Sequence, residues 1–258
     1  MTTIPNDIAE LLISEAERIN SPEFIAADPV QFPRQFTELP DVEIVSLLAA
    51  HLAWGNRKMI CRDTERLLSL MERRPHRYVM EEGYEELPDE LNIHRTFFGR
   101  NLKHMLRGLR AIYARHGSLD AFCRACGAPA SEFPSWHLAA AMNAEMAAAN
   151  AGQSDSRCLP LNLENTALKR LNMALRWLVR RDDIVDMGLW NSLTPAQLFI
   201  PLDVHVGDTA RDLGLITRKA NDRRTTVELT EALRTLRPDD PVIFDYALFG
   251  IPTYTPKA

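Results

Sequence analysis

Apolar residues recur at helical spacing along almost the whole of this chain, and that pattern rules out most folds. A helix returns a side chain to the same face every three to four residues, so such spacing buries one stripe and wets the other. Ile8, Leu11, Leu12 and Ile19 predict a first amphipathic helix. Ile44, Val45, Leu47, Leu48 and Leu52 predict a strongly apolar second one, stopped at Gly55. Ile60, Leu67, Leu68 and Met71 predict a third. Leu102, Met105, Leu106, Leu109, Ile112 and Tyr113 predict a fourth, ended by Gly117. Ser118 is placed to cap a short helix carrying Leu119 and Phe122, and Ser135 to cap the next, with Trp136, Ala139, Met142 and Met146.

The second half repeats the theme. Residues 152–157 read as a polar loop. Leu168, Leu171, Leu175, Leu178 and Val179 define one helix. Thr194-Pro195 starts a brief one by cap and first-turn proline. Asp203 is placed to cap a helix that ends at Gly214. Thr225-x-x-Glu228 reads as a capping box for a helix through Leu236. Asp240-Pro241 opens the last helix, which is expected to stop at Gly250. Convincing strand alternation and internal repeats are absent from the pattern. The expected class is all-α, with about ten or eleven helices. A two-lobed arrangement is expected, with residues 40–152 in one helical lobe and residues 1–39 plus 153–258 in the other.

With 258 residues, 46% of them hydrophobic, the chain can bury a sizeable core. No apolar run approaches the roughly 20 residues that span a bilayer, and Met1 to Asp7 carries neither a basic patch nor an apolar signal core. The expectation is a cytoplasmic protein with no membrane partner. Cys61, Cys123, Cys126 and Cys158 are too sparse for a disulfide framework. Cys123-Arg124-Ala125-Cys126 lacks the second ligand pair a zinc site needs, so no metal is expected. The net charge of −5 is unusual for a nucleic-acid binder, but the charge is unevenly placed. Lys169, Arg170, Arg176, Arg180 and Arg181 form a basic run without an acid, and Arg218, Lys219, Arg223 and Arg224 a second cluster broken by Asp222. The acids gather elsewhere, at Glu81, Glu82, Glu85, Glu86, Asp89 and Glu90.

Two blocks carry chemistry. Leu168-Lys169-Arg170-Leu171-Asn172-Met173 places a lysine near the start of a helix. Pro201-Leu202-Asp203-Val204-His205-Val206 places a carboxylate at the start of another. Taken singly, Asp203 is a helix cap, Lys169 a surface lysine and His205 an ordinary helix histidine. Brought together, a lysine and an aspartate make a nucleophile and a stabiliser of developing positive charge, the equipment for attack on a sugar carbon.

These blocks, in this order, resemble the helix-hairpin-helix DNA glycosylase superfamily, the endonuclease III and oxoguanine glycosylase group. The lysine block through Ala174-Leu175 resembles that family's lysine helix. The aspartate block, with Arg211 and Leu213-Gly214-Leu215, resembles its aspartate helix. Val242 to Gly250 resembles its final helix, and Ile44 to Trp54 followed by Gly55-Asn56-Arg57 resembles its early helix and DNA-probing loop. The lysine and aspartate stand further apart than in endonuclease III-like members, which makes archaeal-type oxoguanine glycosylases the nearer comparison. Arg176-Trp177 and Asp186-Met187-Gly188-Leu189-Trp190 resemble the hallmark of an uncharacterised bacterial family within the superfamily.

The resemblance implies a two-lobed fold with a cleft between lobes. It implies a base-excision repair glycosylase with lyase activity on an oxidised purine such as 8-oxoguanine, acting on double-stranded DNA through a lysine imine. Lys169 and Asp203 would be catalytic. Asn56, Arg57, Asn165, Thr166 and Arg170 would contact DNA, and Trp54, Trp177 and Trp190 would stack on a flipped base. No cofactor is expected: no cysteine follows Gly250 to hold the iron–sulfur loop of endonuclease III-like enzymes. The family's glycine turn is replaced by Leu161-Asn162-Leu163-Glu164-Asn165-Thr166, leaving helix N-terminal amides to hold phosphate. Two other functions fit the same blocks: a nucleic-acid-binding module that kept the fold without the chemistry, and an interaction protein with an acidic face.

Overall fold

The structure, a computed structural model, describes residues 4–254. Twelve α-helices carry the described fold. The first half runs through α1 (Asn6–Ile19), α2 (Pro22–Ala27), α3 (Leu39–Leu52), α4 (Arg57–Leu70), α5 (Pro75–Met80) and α6 (Gly99–His116). Then come α7 (Leu119–Ala125), α8 (Pro134–Ala149), α9 (Lys169–Val179), α10 (Val204–Asp212), α11 (Arg223–Arg234) and α12 (Phe244–Tyr254). Short 3-10 turns join several of them, and no described helix is long and apolar enough to cross a membrane.

The main departure from an all-helical reading is an antiparallel hairpin, β1 (Asn92–His94) and β2 (Phe97–Phe98), just before α6. Its strands are too short to show an alternation of period two. The 3-10 turns after α2 and the short α5 also escaped prediction, because a single turn carries no period.

Caps decide the helix boundaries. Ser118 accepts the Ala121 N–H and Asp203 accepts the Val206 N–H, both at 3.0 Å, as expected of N-caps. Ser135 does not cap α8. Pro134 takes the first helical position, where its fixed φ and missing N–H fit, and Ser135 lies buried inside the first turn. Asp222, rather than Thr225, caps α11 by accepting the Thr225 N–H at 2.9 Å. Gly250 does not end the last helix. It sits inside α12, and a Cβ there would meet Ile19 Cδ1 at 2.1 Å, so it allows α1 to approach closely. Gly117, by contrast, ends α6 with φ +76, a left-handed conformation that suits glycine.

The buried side chains form one apolar cluster drawing on the helices from α1 to α12. Within it α1 packs on α12, α6 on α8, and α3 on α9. The α3–α9 contact joins the two segments expected as separate lobes, and it positions the start of α9 beside the loop that follows α3.

Candidate functional site

That junction forms a cavity of about 800 Å³. Its walls come from both segments: His51, Trp54, Arg57 and Phe97 on one side, and Phe24, Lys169, Asp203, Asp245, Tyr246 and Phe249 on the other.

Lys169 is the first residue of α9. The turn before it is tightly held. Leu168 takes a left-handed conformation, φ 49, at the N-cap position. Trp136 Nε1 donates to the Thr166 carbonyl and Asn172 Nδ2 to the Ala167 carbonyl, each at 3.0 Å. The Lys169 Nζ donates to the Ala53 carbonyl at 3.4 Å and lies 3.7 Å from Asp203 Oδ2. Both side chains are a quarter exposed, 25% each. Asp203 divides its oxygens: Oδ1 caps α10 and Oδ2 faces the lysine. Asn221 Nδ2 donates to the Asp203 carbonyl at 3.1 Å and secures that turn. One residue thus caps and faces a cation, as a cap with two carboxylate oxygens can.

Behind the pair lies a buried ionic cluster. Arg176 meets Asp186 at 3.2 Å and also pairs with Asp245. Arg180 meets Asp186 at 2.9 Å and Asp240 at 2.9 Å, and pairs with Asp182. The Tyr246 ring lies under Arg176, 4.3 Å from its guanidinium. Arg176 stands on the buried face of α9 and Arg180 just past its end, and five carboxylate contacts satisfy them. Burial pushes the Asp245 carboxyl up to about 6 against the pull of Arg176, and the Asp203 charge adds to the rise.

The predicted contact residues separate into two groups. Trp54 lines the cavity, with Arg95 4.5 Å over its ring, and Arg57 lines it too, 5.6 Å over the Phe249 ring. Arg170 lines it while donating to the His51 carbonyl at 3.2 Å. Burial lowers the proton affinity of Arg170, and burial with the Arg170 charge holds His51 well below the ordinary histidine value. Arg170 therefore ties α9 to α3, with its guanidinium occupied on His51. Asn56 is exposed and caps α4, accepting the Lys58 N–H at 2.9 Å. Asn165 is exposed and Thr166 half-buried in the segment before α9, and neither lines the cavity. Trp177 and Trp190 correct the base-stacking expectation. They are 0% and 5% exposed, lie in the core and do not line the cavity. Apolar helix periodicity places Trp177 on the packed face of α9, whereas Trp54 sits on a loop beyond the end of α3.

Several lining residues escaped the sequence reading. Phe24, Asp28 and Phe97 have no motif around them, and His51 stands inside the block at residues 44–54 without a signal of its own. Asp245 and Tyr246 stood inside a matched block and were read only as helix packing. Arg176 carried a usable signal, a charge between Leu175 and Trp177 on an apolar face, which demands buried partners.

The fold and the cavity define a class: a mostly helical protein with an aromatic-lined cavity at whose wall Lys169 and the capping Asp203 meet. The chain belongs to the family described as Protein of unknown function (DUF2400), whose model matches residues 28–253. No curated protein and no solved structure matches it. The family match spans every cavity residue named above except Phe24.

Proposed function

We propose that this protein is a DNA base-excision glycosylase with lyase activity on an oxidised purine such as 8-oxoguanine in double-stranded DNA. The observation that supports it is the 3.7 Å approach of Lys169 Nζ to Asp203 Oδ2 at the wall of an aromatic cavity of about 800 Å³.

The chemistry runs as follows. The damaged nucleotide leaves the stack and its base enters the cavity between aromatic rings. Lys169, in its neutral form, attacks C1′ of the deoxyribose as the bond to the base breaks. The bonding electron pair leaves with the base, and the proton that the attacking nitrogen sheds ends on the base. Asp203 Oδ2 stabilises the positive charge that develops on the sugar. Ring opening gives an imine between Lys169 and C1′. Loss of a C2′ proton then expels the 3′ phosphate by β-elimination. Hydrolysis of the imine returns the lysine.

A second reading draws on a specific observation. The segment before α9 has Glu164 exposed and paired with Arg223 at 2.5 Å, where a phosphate-holding turn would want no acid. A nucleic-acid-binding module without catalysis fits that segment. Borohydride trapping on abasic-site DNA separates the two readings: an adduct that depends on Lys169 supports the enzyme, and binding without any adduct supports the module.

A further inference from the structure

The cavity holds a carboxyl that the lysine chemistry leaves unused. Asp28 is 9% exposed and lines the cavity. Its Oδ1 accepts the Val30 N–H at 3.0 Å and so caps the turn Pro29–Gln31. Among the described residues no hydrogen bond reaches Oδ2, and no cationic side chain comes within the 4.0 Å of an ion pair. Arg176, Arg57 and Lys169 act on Asp28 through their charges alone, and burial dominates, raising its proton affinity.

This contrasts with the ionic cluster behind it. Asp186, Asp182, Asp240 and Asp245 each have an arginine partner. Asp28 has a cap and nothing more. Its free oxygen is not sealed from the cavity, so a donor that enters there can reach it. The same cavity wall carries the aromatic rings of Phe24, Trp54 and Phe249, side chains against which a planar ring packs.

We infer that Asp28 is a specificity-determining residue that accepts hydrogen bonds from the amino and ring N–H donors of a guanine-type base held in the cavity. The inference rests on the reading of the cavity as a base pocket. A guanine-type edge offers a ring N–H beside an exocyclic NH₂, both donors. A carboxylate is an acceptor on both oxygens, and each oxygen has lone pairs for more than one donor. Oδ2 takes the amino N–H, and Oδ1 has a lone pair left after capping for the ring N–H. An adenine-type edge puts a ring acceptor against the same carboxylate and is rejected. A site built to satisfy a donor discriminates strongly against an analogue that lacks it, because the acceptor is then buried without a partner.

The test is a binding titration of the full chain with two nucleosides, 8-oxo-2′-deoxyguanosine and 8-oxo-2′-deoxyinosine, which differ by the amino group. The wild-type protein is expected to bind the first about 10-fold more tightly or better. In Asp28→Asn, which keeps the capping oxygen and the volume, the ratio is expected to fall to about 2-fold or less. Equal binding of the two nucleosides by the wild type overturns the inference without any variant, and so does binding of neither. A ratio that survives in Asp28→Asn overturns it as well. Imine trapping on abasic-site DNA by the same wild-type protein reports Lys169 separately. An adduct without nucleoside discrimination defeats the role of Asp28 alone, and discrimination without an adduct defeats the lyase reading alone.

Discussion

His94 is the buried residue whose removal has the best-defined consequence. It is 0% exposed, and its ring lies between two oxygens: Asp63 Oδ2 at 2.7 Å from Nδ1, and the Trp54 carbonyl at 2.9 Å from Nε2. A carbonyl can only accept, and so can an ionised carboxylate. Burial works to raise the Asp63 carboxyl, but the His94 and Arg62 hydrogen bonds outweigh it and hold it below its ordinary value. His94 thus links α4, through Asp63, to the loop carrying the cavity's Trp54. His94→Leu removes both hydrogen bonds at similar volume and leaves the Asp63 side chain, 2% exposed, with only the exposed Arg62. Breaking one side of a buried pair costs about 3–5 kcal/mol. The surviving Arg62 contact at 2.8 Å places this case at the lower end, at about 3 kcal/mol. Urea unfolding followed by circular dichroism gives the number. In the double variant His94→Leu/Asp63→Leu, a coupling of about 2 kcal/mol should return. The sign with pH is fixed too. The folded Asp63 value lies below the unfolded one, so its contribution is complete above about pH 4 and fades as pH falls further. The deficit of His94→Leu should therefore narrow in acid. A loss under about 1 kcal/mol at pH 7, or a deficit that widens in acid, refutes the buried-pair argument.

The ionic cluster gives a second prediction: Arg176→Met strands Asp245 and leaves Asp186 with Arg180 alone, so thermal or urea unfolding should show a loss of about 3–5 kcal/mol. Gly108→Val should cost about 1–3 kcal/mol in the same assay, because even a Cβ there meets Met146 Cα at 2.9 Å, where α6 crosses α8. The Asp245 carboxyl, raised to about 6, favours the fold below the unfolded carboxylate value and loses that contribution as pH rises through about 6. A stability profile should therefore fall from about pH 4 to about pH 6 and level off above that, a decline that Asp245→Asn lacks. Lys169→Gln should leave stability within about 1 kcal/mol, since a partly exposed pair contributes little, and any loss of activity then belongs to the chemistry.

How legible was this molecule in its sequence? Long helices with a clean apolar stripe, such as α6 and α9, could be placed from period alone. Helix ends were legible where one residue had one role, as with Ser118 and Gly117. They failed where two signals competed: Pro134 against Ser135, or Asp222 against Thr225. Gly250 misled because a glycine that lets two helices touch looks the same in sequence as one that ends a helix. In the site, Asp203 has the local signature of a cap, but Lys169 has none, and the pair was singled out only by the order of the blocks around them. Asp28 and Phe97 reach the cavity through tertiary packing, and nothing within a few residues of them announces it. Trp177 and Trp190 were misassigned because an indole that fills a core and one that faces a pocket are written with the same letter.

The account depends most on Lys169 acting as a nucleophile toward a sugar carbon. The direct measurement is borohydride trapping with duplex DNA carrying 8-oxoguanine, resolved on a denaturing gel. The account predicts a covalent protein–DNA adduct with the wild-type chain that is absent in Lys169→Gln. No adduct with that duplex, with abasic DNA or with a panel of other lesions would contradict it, as would an adduct that persists without Lys169.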